Sequence, residues 1–82
     1  MKWSKESAPK RDVSFYNHVY LETPIGKLII EWKGWKVNPS YDVMLNDAWI
    51  GVEYDLESAK RLGEEHLNNI FNELKSFLSD NE

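Results

Sequence analysis

The sequence predicts an α+β domain, an antiparallel three- to four-stranded meander sheet packed on one long C-terminal helix in the order β-β-β-β-α. Three observations carry that expectation. Apolar and polar residues alternate with a period of two, in segments separated by turn residues, from Val13 to Val52. From Leu56 the apolar repeat changes to steps of three and four and holds as far as Phe77. With 82 residues there is room for one hydrophobic core and no second domain.

The first strand starts near Val13, where Phe15, Val19 and Leu21 alternate with Tyr16, His18, Tyr20 and Glu22. Thr23-Pro24-Ile25-Gly26 then reads as a turn, because proline presets the dihedral at its second position and glycine accepts positive φ at its fourth. Lys27–Lys33 forms the second strand, with Leu28, Ile30 and Trp32 on one face and Ile29, Glu31 and Lys33 on the other. After the connector 34–40, Tyr41, Val43 and Leu45 alternate with Asp42 and Met44 as a third strand. Asn46-Asp47 turns the chain into a short fourth strand around Trp49-Ile50-Gly51-Val52. Connections this short favour antiparallel neighbours.

Asp55 is a natural N-cap, and Glu57 follows it in the first turn. Leu56, Ala59, Gly63, Leu67, Ile70, Leu74 and Phe77 make one apolar stripe, which predicts a helix over about 56–79. Gly63 weakens a helix interior by roughly 1 kcal/mol relative to alanine, so its place on the stripe predicts close approach of helix and sheet. Such a helix is about 36 Å long, whereas a seven-residue strand spans about 23 Å. The last turns therefore overhang the sheet, and Phe71, Leu74, Phe77 and Leu78 need a cover. A homodimer is the expected one, with docking of the N-terminal arm as the alternative. Residues 1–12 lack periodicity and read as a flexible N-terminal arm ahead of the single domain 13–82, with Trp3 as the residue that would find a pocket.

Composition narrows the function classes. The absence of cysteine removes disulfides, thiolate zinc sites and cysteine nucleophiles, and fits a reducing interior such as the cytoplasm. The charged start Met1-Lys2-Trp3-Ser4-Lys5-Glu6 is unlike a signal peptide, and no apolar run reaches the ~20 residues of a membrane span. Only two histidines occur, His18 and His66, and Glu65-His66 lacks the second histidine of a zinc-protease helix. No phosphate-cradling glycine loop, nucleophile elbow or calcium loop is present, so neither a catalytic residue, a metal site nor a cofactor is expected.

What remains is surface. Pleating sets Tyr16, His18, Tyr20, Glu31, Lys33, Asp42 and Met44 on the sheet face turned away from the helix, with Trp35 and Trp49 beside them. Exposed tyrosine and tryptophan anchor protein interfaces, and they also stack single-stranded nucleic acid. Charge separates the two. Residues 1–41 carry seven basic and four acidic side chains, whereas residues 42–82 carry three basic and ten acidic ones, for a net charge of −4. Phosphate binding needs a basic surface, and Lys27, Lys33 and Lys36 sit among Glu31 and Asp42. The expectation is thus a non-catalytic protein-binding module whose contacts come from Tyr16, Tyr20, Lys33, Trp35 and Trp49, or from the acidic helix through Glu57, Glu64, Glu65 and Glu73. The alternative is a nucleic-acid-binding accessory protein using Tyr16, Tyr20, Lys33, Trp35 and Lys36.

The stretch Thr23-Pro24-Ile25-Gly26-Lys27-Leu28-Ile29-Ile30-Glu31-Trp32-Lys33-Gly34-Trp35-Lys36, followed by Tyr41-Asp42-Val43 and Trp49-Ile50-Gly51, resembles a type of short protein found in phage and prophage genomes. The resemblance spans roughly residues 15–68, and the Trp32-Lys33-Gly34-Trp35 element is its distinctive part. It brings no assigned chemistry and no functional residues. It implies a setting in which small accessory proteins block host defence proteins, as anti-CRISPR and anti-restriction inhibitors do.

Overall fold

The computed structural model describes residues 2–7, 15–34 and 36–80, with Phe15 and Tyr16 described by their backbone only. Four strands, β1 (Phe15–Thr23), β2 (Gly26–Lys33), β3 (Ser40–Leu45) and β4 (Ala48–Glu53), precede one helix, α1 (Leu56–Asp80). The strands lie in the order β1-β2-β3-β4, each antiparallel to the next, as the predicted meander requires. The element bounds fall within two residues of those read from the sequence.

Each turn is held by its own side chains. Thr23 Oγ1 accepts from the Ile25 N–H at 3.2 Å and donates to the Gly26 carbonyl at 2.6 Å, while Gly26 takes φ 137°. Asn46 and Asp47 both adopt positive φ, 51° and 67°, as a two-residue hairpin of matching twist demands. Asn46 also ties the two turns together. Its Nδ2 donates to the Ile25 carbonyl at 2.9 Å, and its Oδ1 accepts from the Lys27 N–H at 3.1 Å. A Cβ on Gly26 would collide with that Asn46 amide, so the glycine serves both dihedral and contact.

The core lies between one sheet face and the helix. Val19, Leu21, Leu28, Ile30 and Val43 meet Ala59 and Leu67, and all seven are buried. Gly63 is buried among them, and a Cβ added there would stand 3.3 Å from Leu28 Cδ1 and 3.4 Å from Val43 Cγ1. The close approach expected at Gly63 is therefore real. Gly51 repeats it from the sheet side, where a Cβ would come within 2.9 Å of Leu62 Cδ2.

Asp55 caps the helix with both carboxylate oxygens: Oδ1 accepts the Ser58 N–H at 2.9 Å and Oδ2 the Ser58 hydroxyl at 2.8 Å. These bonds favour the ionised form and hold the Asp55 pKa below its ordinary 3.8.

Strict alternation fails in β1. The register passes from Asn17 opposite Glu31 directly to Val19 opposite Ile30, which leaves His18 in a bulge. Tyr16 therefore pairs with Trp32 and Phe15 with Lys33, the reverse of uninterrupted pleating. His18 does not join the outer face expected for it. It is buried, and its ring lies 5.6 Å from that of Tyr41, which packs against the core.

Residues 2–7 run along β1. The Ser4 N–H donates to the Tyr20 carbonyl at 2.8 Å, the Ser4 hydroxyl oxygen accepts the Tyr20 N–H at 2.9 Å, and the Ser7 N–H reaches the His18 carbonyl at 2.9 Å. Trp3 packs against the core, and its Nε1 donates to Glu64 Oε1 on α1 at 2.8 Å. The arm thus covers the outer edge of β1 and pins itself to the helix. Residues 8–12, also assigned to the arm, lie outside the described residues. Beyond Phe71 every residue of α1 is exposed. The overhang contributes to a long molecular outline of 54 × 21 × 19 Å.

Candidate functional site

The face of the sheet opposite α1 is built as a row across all four strands. Tyr20 stands opposite Ile29, Ile29 opposite Met44, and Met44 opposite Trp49. Residues paired across strands share a face, so the four side chains form one continuous apolar band. Its two ends are open: Tyr20 is 45% exposed and Trp49 is 62% exposed. Ile29 and Met44 between them are half-buried. Lys27 lies over the Tyr20 ring, its Nζ 4.8 Å from the centroid, and pairs with Glu22 at 3.4 Å. The exposed aromatic surface is concentrated at the Trp49 end.

Beside the band, toward the 34–39 connector, lies a compact charged group. Lys33 Nζ sits 3.2 Å from Asp42 Oδ2 and 3.6 Å from Glu31 Oε1. The Ser40 hydroxyl donates to Asp42 Oδ1 at 3.3 Å. Ser40 and Asp42 are buried, and burying a carboxylate is costly unless it is paired and hydrogen-bonded. Lys33 supplies the pairing. The Asp42 carboxylate in turn raises the Lys33 pKa above its ordinary 10.5, with Glu31 adding to the effect. Lys33 is consequently committed to two carboxylates and offers little charge to a phosphate.

The residues singled out from the sequence fall on opposite sides of the molecule. Tyr20, Lys33 and Trp49 share the outer sheet face. Tyr16 belongs to β1 and is described only by its backbone, and Trp35 lies outside the described residues. The helix acids lie on the other layer and do not form one patch. Glu57 and Glu64 are seven residues apart and share a side, whereas Glu65 and Glu73 point elsewhere around the helix. Glu64 is occupied by the Trp3 indole. Two contributors were not singled out. Ile29 completes the apolar band, and alternation had already set it on that face. Tyr54, 68% exposed, stands between β4 and the helix cap beside Asn38 and Pro39, where no periodic signal marks it.

A second apolar surface lies along the free end of the helix and reaches the sheet face at Tyr20. Leu74 is 46% exposed, and Phe77 and Leu78 are each 62% exposed. At the root of this overhang a groove of about 510 Å³ opens between the arm, the end of β1 and the helix, walled by Trp3, Tyr20, Pro24, Leu67 and Phe71, with Lys2 on its lining. Of the four residues expected to need a cover, Phe71 packs against the core beside the groove, and the other three lie beyond it.

Among the described residues no group of three or more His, Asp or Glu side chains is placed to hold a metal ion, and no helix is long and apolar enough to cross a membrane. Comparison with protein-family models, with curated proteins and with solved structures finds no match to this chain.

Proposed function

We propose that this chain is a non-catalytic protein-binding module whose contact surface is the sheet face turned away from the helix. The observation that supports this reading is the Tyr20–Ile29–Met44–Trp49 band, an apolar strip with exposed aromatic ends on a four-stranded platform. Tryptophan and tyrosine in such positions supply large contact areas with few rotors to immobilise, which is why they dominate the energetics of protein interfaces. The platform is rigid because its opposite face is plugged by α1 and Trp3. A protein partner suits the electrostatics better than nucleic acid, since Lys33 is engaged by Asp42 and Glu31 and the net charge is −4. The resemblance to short phage and prophage proteins sharpens the proposal to inhibition of a host defence protein, of the anti-CRISPR or anti-restriction kind.

The test is affinity capture from a lysate of the source cells, run in parallel with wild type, Trp49→Ala and Arg61→Ala. A partner retained by wild type and Arg61→Ala but lost with Trp49→Ala supports the reading. A partner lost equally from none or both of the variants contradicts it. A gel-shift series over salt adds an independent check: tight nucleic-acid binding with a steep salt slope would replace the protein partner with the nucleic-acid alternative.

A further inference from the structure

We infer that the overhanging end of α1 docks into the arm groove of a second copy of this chain, forming an antiparallel two-fold dimer. This surface meets the sheet face at Tyr20, which lines the groove and also ends the apolar band. Leu74 and Leu78 continue the stripe on which Leu67 is buried and Phe71 packs against the core, so they face the side where the sheet has already ended. A helix packs on such a stripe at an axial distance of about 8–10 Å. A parallel mate would run straight into the sheet beneath the N-terminal half of α1. An antiparallel mate meets only the other overhang and the groove at its root. That groove, about 510 Å³ and walled by Trp3, Tyr20, Pro24, Leu67 and Phe71, is an apolar recess in line with the stripe.

With the two-fold axis at Leu74, Leu78 of one copy comes level with Ile70 of the other, and Phe77 with Phe71. Asp80 then comes level with Asn68, about one turn from Glu64, where Trp3 pins the arm. Charge fits that seating. The last turn of α1 contains no basic residue, ends in Asp80 and carries the negative end of the helix dipole. Lys2 lies on the lining of the receiving groove. Of the acids nearby, Glu22 is paired with Lys27, while Glu64 accepts the Trp3 indole and keeps its charge, which Lys2 must outweigh. Three partly exposed apolar side chains and the groove walls make a contact smaller than the ~800 Å² per partner of a standard interface. The dimer is accordingly expected to be reversible.

Sedimentation equilibrium of the full chain across a concentration series tests this. The expected result is a reversible transition from 9.7 kDa to twice that mass. Leu78→Glu should abolish the transition while leaving the helical circular dichroism unchanged. Lys2→Glu should weaken the dimer several-fold, and adding Asp80→Lys to the same chain should restore it. The sequence has no cysteine, so Leu74→Cys should form a disulfide-linked dimer under mild oxidation, whereas Arg61→Cys should not. A chain that stays monomeric to ~1 mM, a dimer indifferent to Leu78→Glu, or equal cross-linking from positions 61 and 74 would each overturn the proposal.

Discussion

Asp55 shows how one side chain sets a measurable property. Its carboxylate caps α1 through Ser58, and those bonds lower its pKa in the folded state below 3.8. A group whose folded pKa is depressed stabilises fully above its unfolded value and loses that contribution as pH falls through the folded value. Asp55→Ala should therefore lower the thermal midpoint at pH 7, and the gap to wild type should narrow in acid, at a pH below 3.8. Melts followed by circular dichroism at the two pH values check this. Lys33 works in the opposite sense. Its pKa is raised by Asp42, so its contribution is complete below 10.5 and disappears only as pH rises through the higher folded value. Gly63 gives a steric test. The space above its Cα is bounded by Leu28 and Val43 at 3.3 and 3.4 Å from an added Cβ, so Gly63→Val should cost about 1–3 kcal/mol in urea unfolding, as overpacked core sites do. Gly63→Ala should cost far less, because the helix-propensity gain of roughly 1 kcal/mol offsets a small displacement of Leu28.

At the scale of elements, α1, the two hairpins and their turns were legible because each rests on local chemistry: a capping aspartate, a proline–glycine turn, an Asn-Asp pair able to take positive φ, and stripes of a definite period. Two features were not. The bulge at His18 has no local signature, since it depends on which register lets Val19 and Leu21 both reach the core. It reverses the parity of Phe15 and Tyr16 and draws His18 inward. For the arm, a pocket for Trp3 was legible but its partner was not, because the Trp3 to Glu64 bond joins residues 61 positions apart. The band on the outer face was legible in part. Tyr20 and Met44 follow from alternation, whereas the place of Trp49 depends on the register shift that sets Met44 opposite it, and the capture of Lys33 by the buried Asp42 depends on the β2–β3 register. Removal of the Trp3 indole donor by Trp3→Phe should cost about 1 kcal/mol, whereas Ile30→Ala in the centre of β2 should cost roughly 2–5 kcal/mol. Chemical denaturation of both variants ranks the arm against the core.

For the whole molecule, the layers divide the labour. One sheet face is used for stability, filled by α1 and Trp3, and the other carries the Tyr20–Ile29–Met44–Trp49 band outward. The two surfaces share Tyr20, but Leu78 belongs only to the helix end and Trp49 only to the band, so a monomeric Leu78→Glu chain should still capture a protein partner. The most direct test of the central claim is site-specific photo-cross-linking. A photoreactive phenylalanine analogue is placed at position 49 on the band, or at position 61 on the outer side of the helix, and exposed to lysate of the source cells. A discrete cross-linked partner is expected from position 49 and none from position 61. Cross-linking from position 61 alone, or none from position 49, would contradict it.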